Sequence, residues 1–389
     1  MVNERFVFDF QTAQRILFGS GSAERLGALA SELGRRALWI SISPRRFHQT
    51  LEQSLSDAAI SFRRVIVQGE PILSRILELV EQVKEERPEV IVATGGGSVI
   101  DCAKAVAALA VNPGDPLDYL EVVGNGKPLS VNPLPVIAVP TTAGTGSEVT
   151  RNAVISLPEY KVKVSLRSPK MLPFIALIDP SLTLDLPPAV TASTGMDALT
   201  QVIEPYVSNR ANAFTDIFCE GGIRKIARSL RTAFYEGHNL LAREEMAFGS
   251  LMGGLALANA GLGAVHGFAA PLGGMFEAPH GAICARLLPV VCRVNLQALQ
   301  ERNPNHPALG RFQTLAGWLV GHPEADVWQG VEWLEELCKD LGIPPLRDYG
   351  VQKRDFASII EGAKRASSMK ANPIELTDDE LFQILEKAY

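Results

Sequence analysis

The sequence predicts an α/β domain followed by an all-helical domain. Over the first half, short apolar strands alternate with amphipathic helices, the pattern of a parallel sheet with helices on its faces. From about residue 190 the apolar residues recur at helical spacing, with almost no strand signal. Between the two halves lies "DPSLTLDLPPAV" (179–190), whose three prolines mark a boundary. The expected domains are residues 1–185, the parallel-sheet half, and 186–389, the helical half.

Each element has its own signal. "SAERLGALASELG" (22–34) reads as a helix stopped by Gly34. Apolar strands are expected at 36–41 and 62–69. A helix at 74–88 ends on Pro88, a strand covers 89–94 and a helix 99–111. A strand at 134–140 and extended pieces at 163–168 and 174–180 complete this half. Beyond the boundary, "MDALTQVIEPYVS", "TDIFCEGGIRKIARSLRTAFYEG" and "VEWLEELCKDLG" carry helical periodicity.

Composition narrows the function. The 389 residues are 47% hydrophobic and 21% charged, enough for a large core. A net charge of −6 offers no basic field for nucleic acid or anionic lipid. The five cysteines (102, 219, 284, 292, 338) are odd in number and lack any CxxC, so neither a disulfide framework nor a Cys-based zinc site is expected. With no leader pattern in "MVNERFVFDF", the expected location is a reducing cytoplasm. Residues 246–276 contain no Asp, Glu, Lys or Arg. Interrupted by Asn259, His266 and Pro271, the stretch reads as a buried helix rather than a membrane span. Of six histidines, His48, His238, His306 and His322 sit in polar contexts and are expected at the surface.

Two glycine-rich loops follow apolar strands. In "EVIVATGGGSVIDCAKA", Gly95, Gly96, Gly97 and Ser98 join a strand to a helix. Bare backbone and free N–H groups at a helix start suit a phosphate. The loop is neither GxGxxG nor GK[ST], and a tight turn would account for it too. The second, "VIAVPTTAGTGSEVT", crowds Thr141, Thr142, Thr145 and Ser147 with glycines. Two such loops at parallel-strand ends fit a dinucleotide crevice.

In the helical half, Asp197 and Gln201 are one turn apart, on one face of an apolar helix. A buried carboxylate needs a partner charge, and no Lys or Arg lies near it in sequence. His266 lies inside the uncharged stretch, and His280 follows fourteen residues later. One Asp and two His are a common set for Zn²⁺ or Fe²⁺.

The segments "GGGSVIDCAK", "PTTAGTGSEVT", "LIDPSLTLDLP", "TGMDALTQVIEPYVS" and "AVHGFAAPLGGMFEAPHG" resemble the iron-containing, group III alcohol dehydrogenase family. The resemblance implies a dehydroquinate synthase-like architecture, a cytoplasmic homodimer or higher homo-oligomer, and reversible hydride transfer between NAD(P)H and an aldehyde or ketone. It implies Gly95, Gly96, Gly97, Ser98 and Asp101 at the pyrophosphate loop, and Thr141, Thr142, Thr145 and Ser147 at the second cofactor loop. Lys163 would contact the nicotinamide-side ribose, and Ser41, Ile42 and Arg45 would lie at the adenosine ribose. Asp197, His266 and His280 match three metal ligands, Fe²⁺ being the expected metal and Zn²⁺ the alternative.

The chain departs from the family pattern at three places. Gln201 stands where a fourth ligand, His, is usual, and its carbonyl is expected to ligate more weakly. Ala270 stands where a relay histidine is frequent. Ile42 stands where NAD-selective members carry an Asp, so nothing acidic repels a 2′-phosphate. The strand followed by Ser43-Pro44 also resembles the maleylacetate reductase branch, for which Arg151 and Lys163 are the nearby cationic anchors. A dehydroquinate synthase-like lyase needs basic residues that 246–276 lacks. A non-catalytic dinucleotide-binding protein is a third alternative, motivated by Gln201 and Ala270.

Overall fold

The computed structural model describes residues 8–160 and 162–389. Residues 1–7 of the N-terminal stretch read for a leader lie outside them. The chain divides into two compact units, residues 11–185 and residues 186–389 together with the described residues 8–10. The short N-terminal exchange differs from the expected domain start. Its cause is aromatic: Phe8 stacks on Phe214, and Phe10 packs against Phe214 and Phe218.

The first unit is built on strands β1 (Arg15–Phe18), β2 (Arg36–Ser41), β3 (Ser61–Ile66), β4 (Val90–Gly95), β5 (Val136–Pro140), β6 (Asn152–Leu157), β7 (Val162–Arg167) and β8 (Ile175–Ile178). Its helices are α1 (Leu26–Ser31), α2 (His48–Asp57), α3 (Leu73–Glu86) and α4 (Gly97–Leu109). Six strands form a parallel sheet in the order β1-β8-β5-β4-β2-β3, and β6 pairs with β7 as an antiparallel ribbon.

Successive strand residues point to opposite faces. Trp39, Val92 and Leu177 therefore pack with Leu29 of α1 and Leu55 of α2, while Leu38, Ile91 and Ala138 pack with Leu79 of α3 and Val106 of α4. Helices on both faces explain why these strands read as continuous apolar runs. Chain direction reverses between β2 and β4: β2 leads outward to β3, and β4 leads the other way to β5. Ligand crevices of open parallel sheets lie at such a switch point.

Several elements differ from the sequence-based expectation. The helix expected at 22–34 is a single 3₁₀ turn followed by the short α1. Three elements had no expectation: β1, a four-residue edge strand; α2, whose buried face holds only His48, Leu51 and Leu55; and β6, which pairs outside the main sheet. His48 is 2% exposed rather than at the surface, packed between Phe47 and Trp39.

The second unit contains α5 (Pro188–Val207), α6 (Ala213–Tyr235), α7 (Leu240–Ala260), α8 (Ala264–Met275), α9 (His280–Arg302), α10 (Pro307–Val320), α11 (Val327–Asp340), α12 (Phe356–Arg365) and α13 (Asp378–Ala388). Helix α5 is buried along most of its length and packs on α6, α7 and α9. The uncharged stretch 246–276 is two helices, α7 and α8, bent by 98° rather than one. Gly261, at φ +74°, ends α7, and at Gly263 a Cβ would lie 2.8 Å from Glu204 Oε1. Among the described residues α9 alone is a single helix long and apolar enough to cross a membrane, and most of it is buried within the protein.

Candidate metal centre and cofactor loops

Three helices converge on one point. Helix α5 presents Asp197, Gln201 and Glu204, spaced four and three residues apart along one face. His266 lies in the first turn of α8, and His280 is the first residue of α9, with Cys284 one turn further on. The bend between α7 and α8 is thus what turns His266 toward α5.

Asp197 Oδ1 lies 3.5 Å from His266 Nε2 and 3.7 Å from His280 Nε2. Cys284 Sγ lies 3.9 Å from His266 Nε2 and 3.6 Å from His280 Nε2. One ligand atom from each of these four residues falls within 4.8 Å of the others. Asp197 Oδ1 and Gln201 Oε1 are buried with no hydrogen-bond partner. A buried carboxylate oxygen without a hydrogen-bond partner, facing two imidazole nitrogens, is an arrangement that a cation among them would complete. The donor set present therefore fits a divalent metal.

Glu204 fixes the orientation of His266. His266 Nδ1 donates to Glu204 Oε2 at 2.6 Å, and the Val265 N–H donates to Oε1 at 2.7 Å. Committing Nδ1 to Glu204 leaves Nε2 directed at the site. Gln201 donates its amide to the Asp197 carboxylate, with Oε1 beside Gly253 of α7, where a Cβ would lie 3.6 Å away.

The local field attracts positive charge. Burial opposes ionisation of Asp197, but His280 and His266 hold its carboxyl below the ordinary range. Burial likewise opposes a charged His266, yet Cys284 and Glu204 raise it well above its ordinary value. Cys284 first, and Asp197 after the counter-pull of burial, raise His280 to about 9.

Sequence reasoning missed Cys284 and Glu204. Both had a signal, because Cys284 is four residues after His280 and Glu204 is seven after Asp197. The cysteines had been set aside for lacking CxxC. That criterion does not apply to a donor set assembled from three helices.

In the first unit, Gly95 closes β4 in register with Pro140 of β5, and Thr94 is in register with Ser41 of β2. The two glycine-rich loops and Ile42 therefore leave the sheet side by side. At Gly96 a Cβ would stand 3.2 Å from Thr142 Oγ1, and at Gly97 one would stand 2.5 Å from Thr145 Oγ1. The glycines thus let the two loops close on each other while the start of α4, at Gly97 and Ser98, keeps its N–H groups free of a side-chain cap. Thr141 donates its N–H to Gly95 O at 2.9 Å.

The remaining expected cofactor residues are placed differently. Ser147 donates its hydroxyl to Asp101 Oδ1, Val154 N donates to Oδ2 at 2.9 Å, and Lys104 Nζ lies 3.1 Å from Oδ1. Both oxygens of Asp101 are spent on holding the second loop and β6. Lys163 on β7 pairs with Glu70 at 2.6 Å. Ser41 Oγ accepts from Arg64 Nε at 2.8 Å, Ile42 is half-buried and Arg45 is exposed. Arg151, one anchor of the dicarboxylate alternative, donates to Gln11 Oε1 at 3.1 Å.

Comparison with known proteins gives a consistent result. Residues 13–180 match the iron-containing alcohol dehydrogenase family, and residues 191–389 match its C-terminal domain. A 1,3-propanediol dehydrogenase of Klebsiella pneumoniae is 37% identical over 364 residues, 93% of this chain and 90% of that protein. The crystal structure of a 1,3-propanediol oxidoreductase superposes with a TM-score of 0.90 at 36% identity, covering 98% of this chain and all of the other. A sulfoacetaldehyde reductase from Bifidobacterium kashiwanohense, solved in complex with NAD⁺, is 29% identical with a TM-score of 0.85, over 99% of each chain.

Proposed function

We propose, from the premise that the chain belongs to the iron-containing alcohol dehydrogenase family, that this metal-dependent alcohol dehydrogenase transfers hydride between NAD(P) and a small, unphosphorylated alcohol or aldehyde. The observation that carries the reading is the buried, unpartnered Asp197 Oδ1 facing two imidazole nitrogens. The relatives named above act on small oxygenated substrates, which supports the same reading. Of the two cationic anchors for a dicarboxylate, Arg151 donates to Gln11 and the charge of Lys163 is neutralised by Glu70.

Asp197, His266 and His280 would hold the divalent cation, with the Gln201 amide beside them. When bound, such a cation polarises the substrate oxygen, and the nicotinamide supplies or accepts the hydride. The protein's part is to orient. Glu204 keeps His266 Nε2 directed at the donor cluster. Gly96 and Gly97 bare the backbone, and the positive end of the thirteen-residue α4 receives the pyrophosphate, with Ser98 in its first turn. Thr141, Thr142 and Thr145 offer hydroxyls on the adjoining loop. Lys163, held by Glu70, is the ribose contact. Ile42 presents no carboxylate against a 2′-phosphate, so NADP is used as well as NAD. With Ala270 on α8, no imidazole is available there to carry the proton, which leaves water and ribose hydroxyls.

The test combines metal analysis with steady-state oxidation of NADH and NADPH by a panel of short aldehydes. Wild type should contain one divalent metal per chain and turn over. Asp197→Ala should lose both. Stoichiometric metal in that variant, or a metal-loaded wild type inert to the whole panel, would overturn the reading.

A further inference from the structure

We infer that the Cys284 thiolate, rather than the Gln201 carbonyl, completes the metal's donor set, and that the resulting Asp-His-His-Cys site selects Zn²⁺ over Fe²⁺. The inference rests on the metal reading above and deepens it.

Geometry carries the argument. Zinc bonds of about 2.0–2.3 Å at tetrahedral angles put donor atoms roughly 3.3–3.7 Å apart. The separations between Asp197 Oδ1, His266 Nε2, His280 Nε2 and Cys284 Sγ are 3.5, 3.7, 3.6 and 3.9 Å. These four of the six separations match the edges of such a tetrahedron, and all four atoms lie within 4.8 Å of one another. Gln201 is engaged with Asp197 through its amide, and its buried Oε1 lies beside Gly253 on α7.

Cys284 is also set apart from the chain's other thiols. All five cysteines are buried, but Cys102, Cys219, Cys292 and Cys338 stand outside any such cluster of donors. Among the described residues only Cys284 belongs to a His/Cys/Asp/Glu group of metal-binding geometry.

Charge and softness point to the metal. Asp197 and a Cys284 thiolate together neutralise a divalent cation, which a Gln in the fourth place would not. Thiolate with imidazole suits Zn²⁺, which can expand to five-coordinate to take the substrate oxygen, while Fe²⁺ sites favour carboxylate and imidazole. Replacing the usual imidazole at 201 and placing a thiol at 284 are then two halves of one change in ligand set.

The experiment is a Co²⁺ titration of the full metal-free chain, followed by optical absorption, with bound metal counted independently. Wild type should bind one Co²⁺ and develop thiolate-to-cobalt charge-transfer absorption in the near ultraviolet. Gln201→Leu should keep that absorption. Cys284→Ser should lose it and bind Zn²⁺ more weakly by on the order of tenfold or more, with a smaller Zn²⁺/Fe²⁺ preference, in competition with a coloured chelator. One bound Co²⁺ without charge-transfer absorption in wild type, which needs no variant to read, overturns the thiolate ligand and leaves the metal site standing. Absorption that persists in Cys284→Ser likewise assigns it to another thiol. Failure of wild type to bind a stoichiometric metal overturns both the inference and the reading beneath it.

Discussion

Asp197 and Glu204 divide one task between two carboxylates on the same helix face. Asp197 leaves an oxygen open to a cation, whereas Glu204 spends both of its own on α8. Removing each should therefore have a different size of effect. Asp197→Ala removes the charge that makes the site attractive to a cation, and tight metal binding should disappear in a chelator competition. Glu204→Gln keeps the shape but sets an N–H against one of its two donors, so affinity should fall by roughly 10- to 100-fold, as for other partners of ligating imidazoles. Equal affinity in wild type and Glu204→Gln would show that His266 is oriented by packing alone. At the cofactor loops, Ile42→Asp adds a carboxylate at the end of β2. Wild type should use NADPH at least as well as NADH, and the variant should shift toward NADH by roughly tenfold, about 1.4 kcal/mol. Ratios of kcat/KM for the two cofactors decide it. A wild type that strongly rejects NADPH would place the selectivity residue elsewhere.

At the scale of elements, the site depends on how closely α9 approaches α5. Gly281 follows His280, and a Cβ there would stand 2.4 Å from the Ser193 carbonyl oxygen. That oxygen is helix backbone and cannot move aside cheaply. Gly281→Ala should push the first turn of α9 outward, destabilising the protein by about 1–3 kcal/mol. His280 and Cys284 ride on that turn, so metal affinity should fall as well. Denaturant unfolding together with chelator competition checks both, and a stability loss with unchanged affinity would separate packing from ligand placement. The helix pair α7–α8 makes the same point from sequence. Its uncharged composition was legible as burial, but the bend that delivers His266 was not. That bend is decided by Gly261 and by the space Gly263 leaves for Glu204, a residue 59 positions earlier in the chain.

Stability of the whole molecule responds to metal and to pH by different routes. A cation that binds only the folded chain stabilises it by mass action, about 4 kcal/mol at a thousandfold excess over Kd. Chelation should therefore lower Tm in wild type and leave the Tm of Asp197→Ala unchanged, as read by thermal scans with and without chelator. His48 supplies the second route, remote from the metal residues in sequence. Burial, with the Arg64 guanidinium close by, lowers His48 from 6.5 to about 4. Its folded pKa is depressed, so on acidification the unfolded chain takes up the proton first. The stability this group protects is present above pH 6.5 and lost as pH falls toward 4. His48→Gln should flatten the dependence of unfolding free energy on pH across that window. An unchanged slope would assign acid sensitivity to other groups.

Hydrophobic periodicity is local, and the features it governs were readable from the sequence: alternation of strand and helix in the first half, the helical second half, the strand-to-glycine turns, and the pairing of Asp197 with a residue one turn away. A charge argument added that a buried Asp197 without a nearby Lys or Arg required a cation. Elements with weak local signal were not readable. The edge strand β1 gains its place only by pairing with β8, and α2 buries so few apolar residues that His48 completes its face. The donor set lay beyond the sequence for a related reason. Cys284 and Glu204 carry no signature of their own, because each acquires its chemistry from atoms on another helix. Asp101 and Ser147 show the converse, polar residues beside the glycine-rich loops whose atoms the fold spends on each other. Spacing along the chain determines which residues share a face. Which faces meet, and so which donors stand within bonding reach of one cation, was decided by the packing of α5 against α8 and α9.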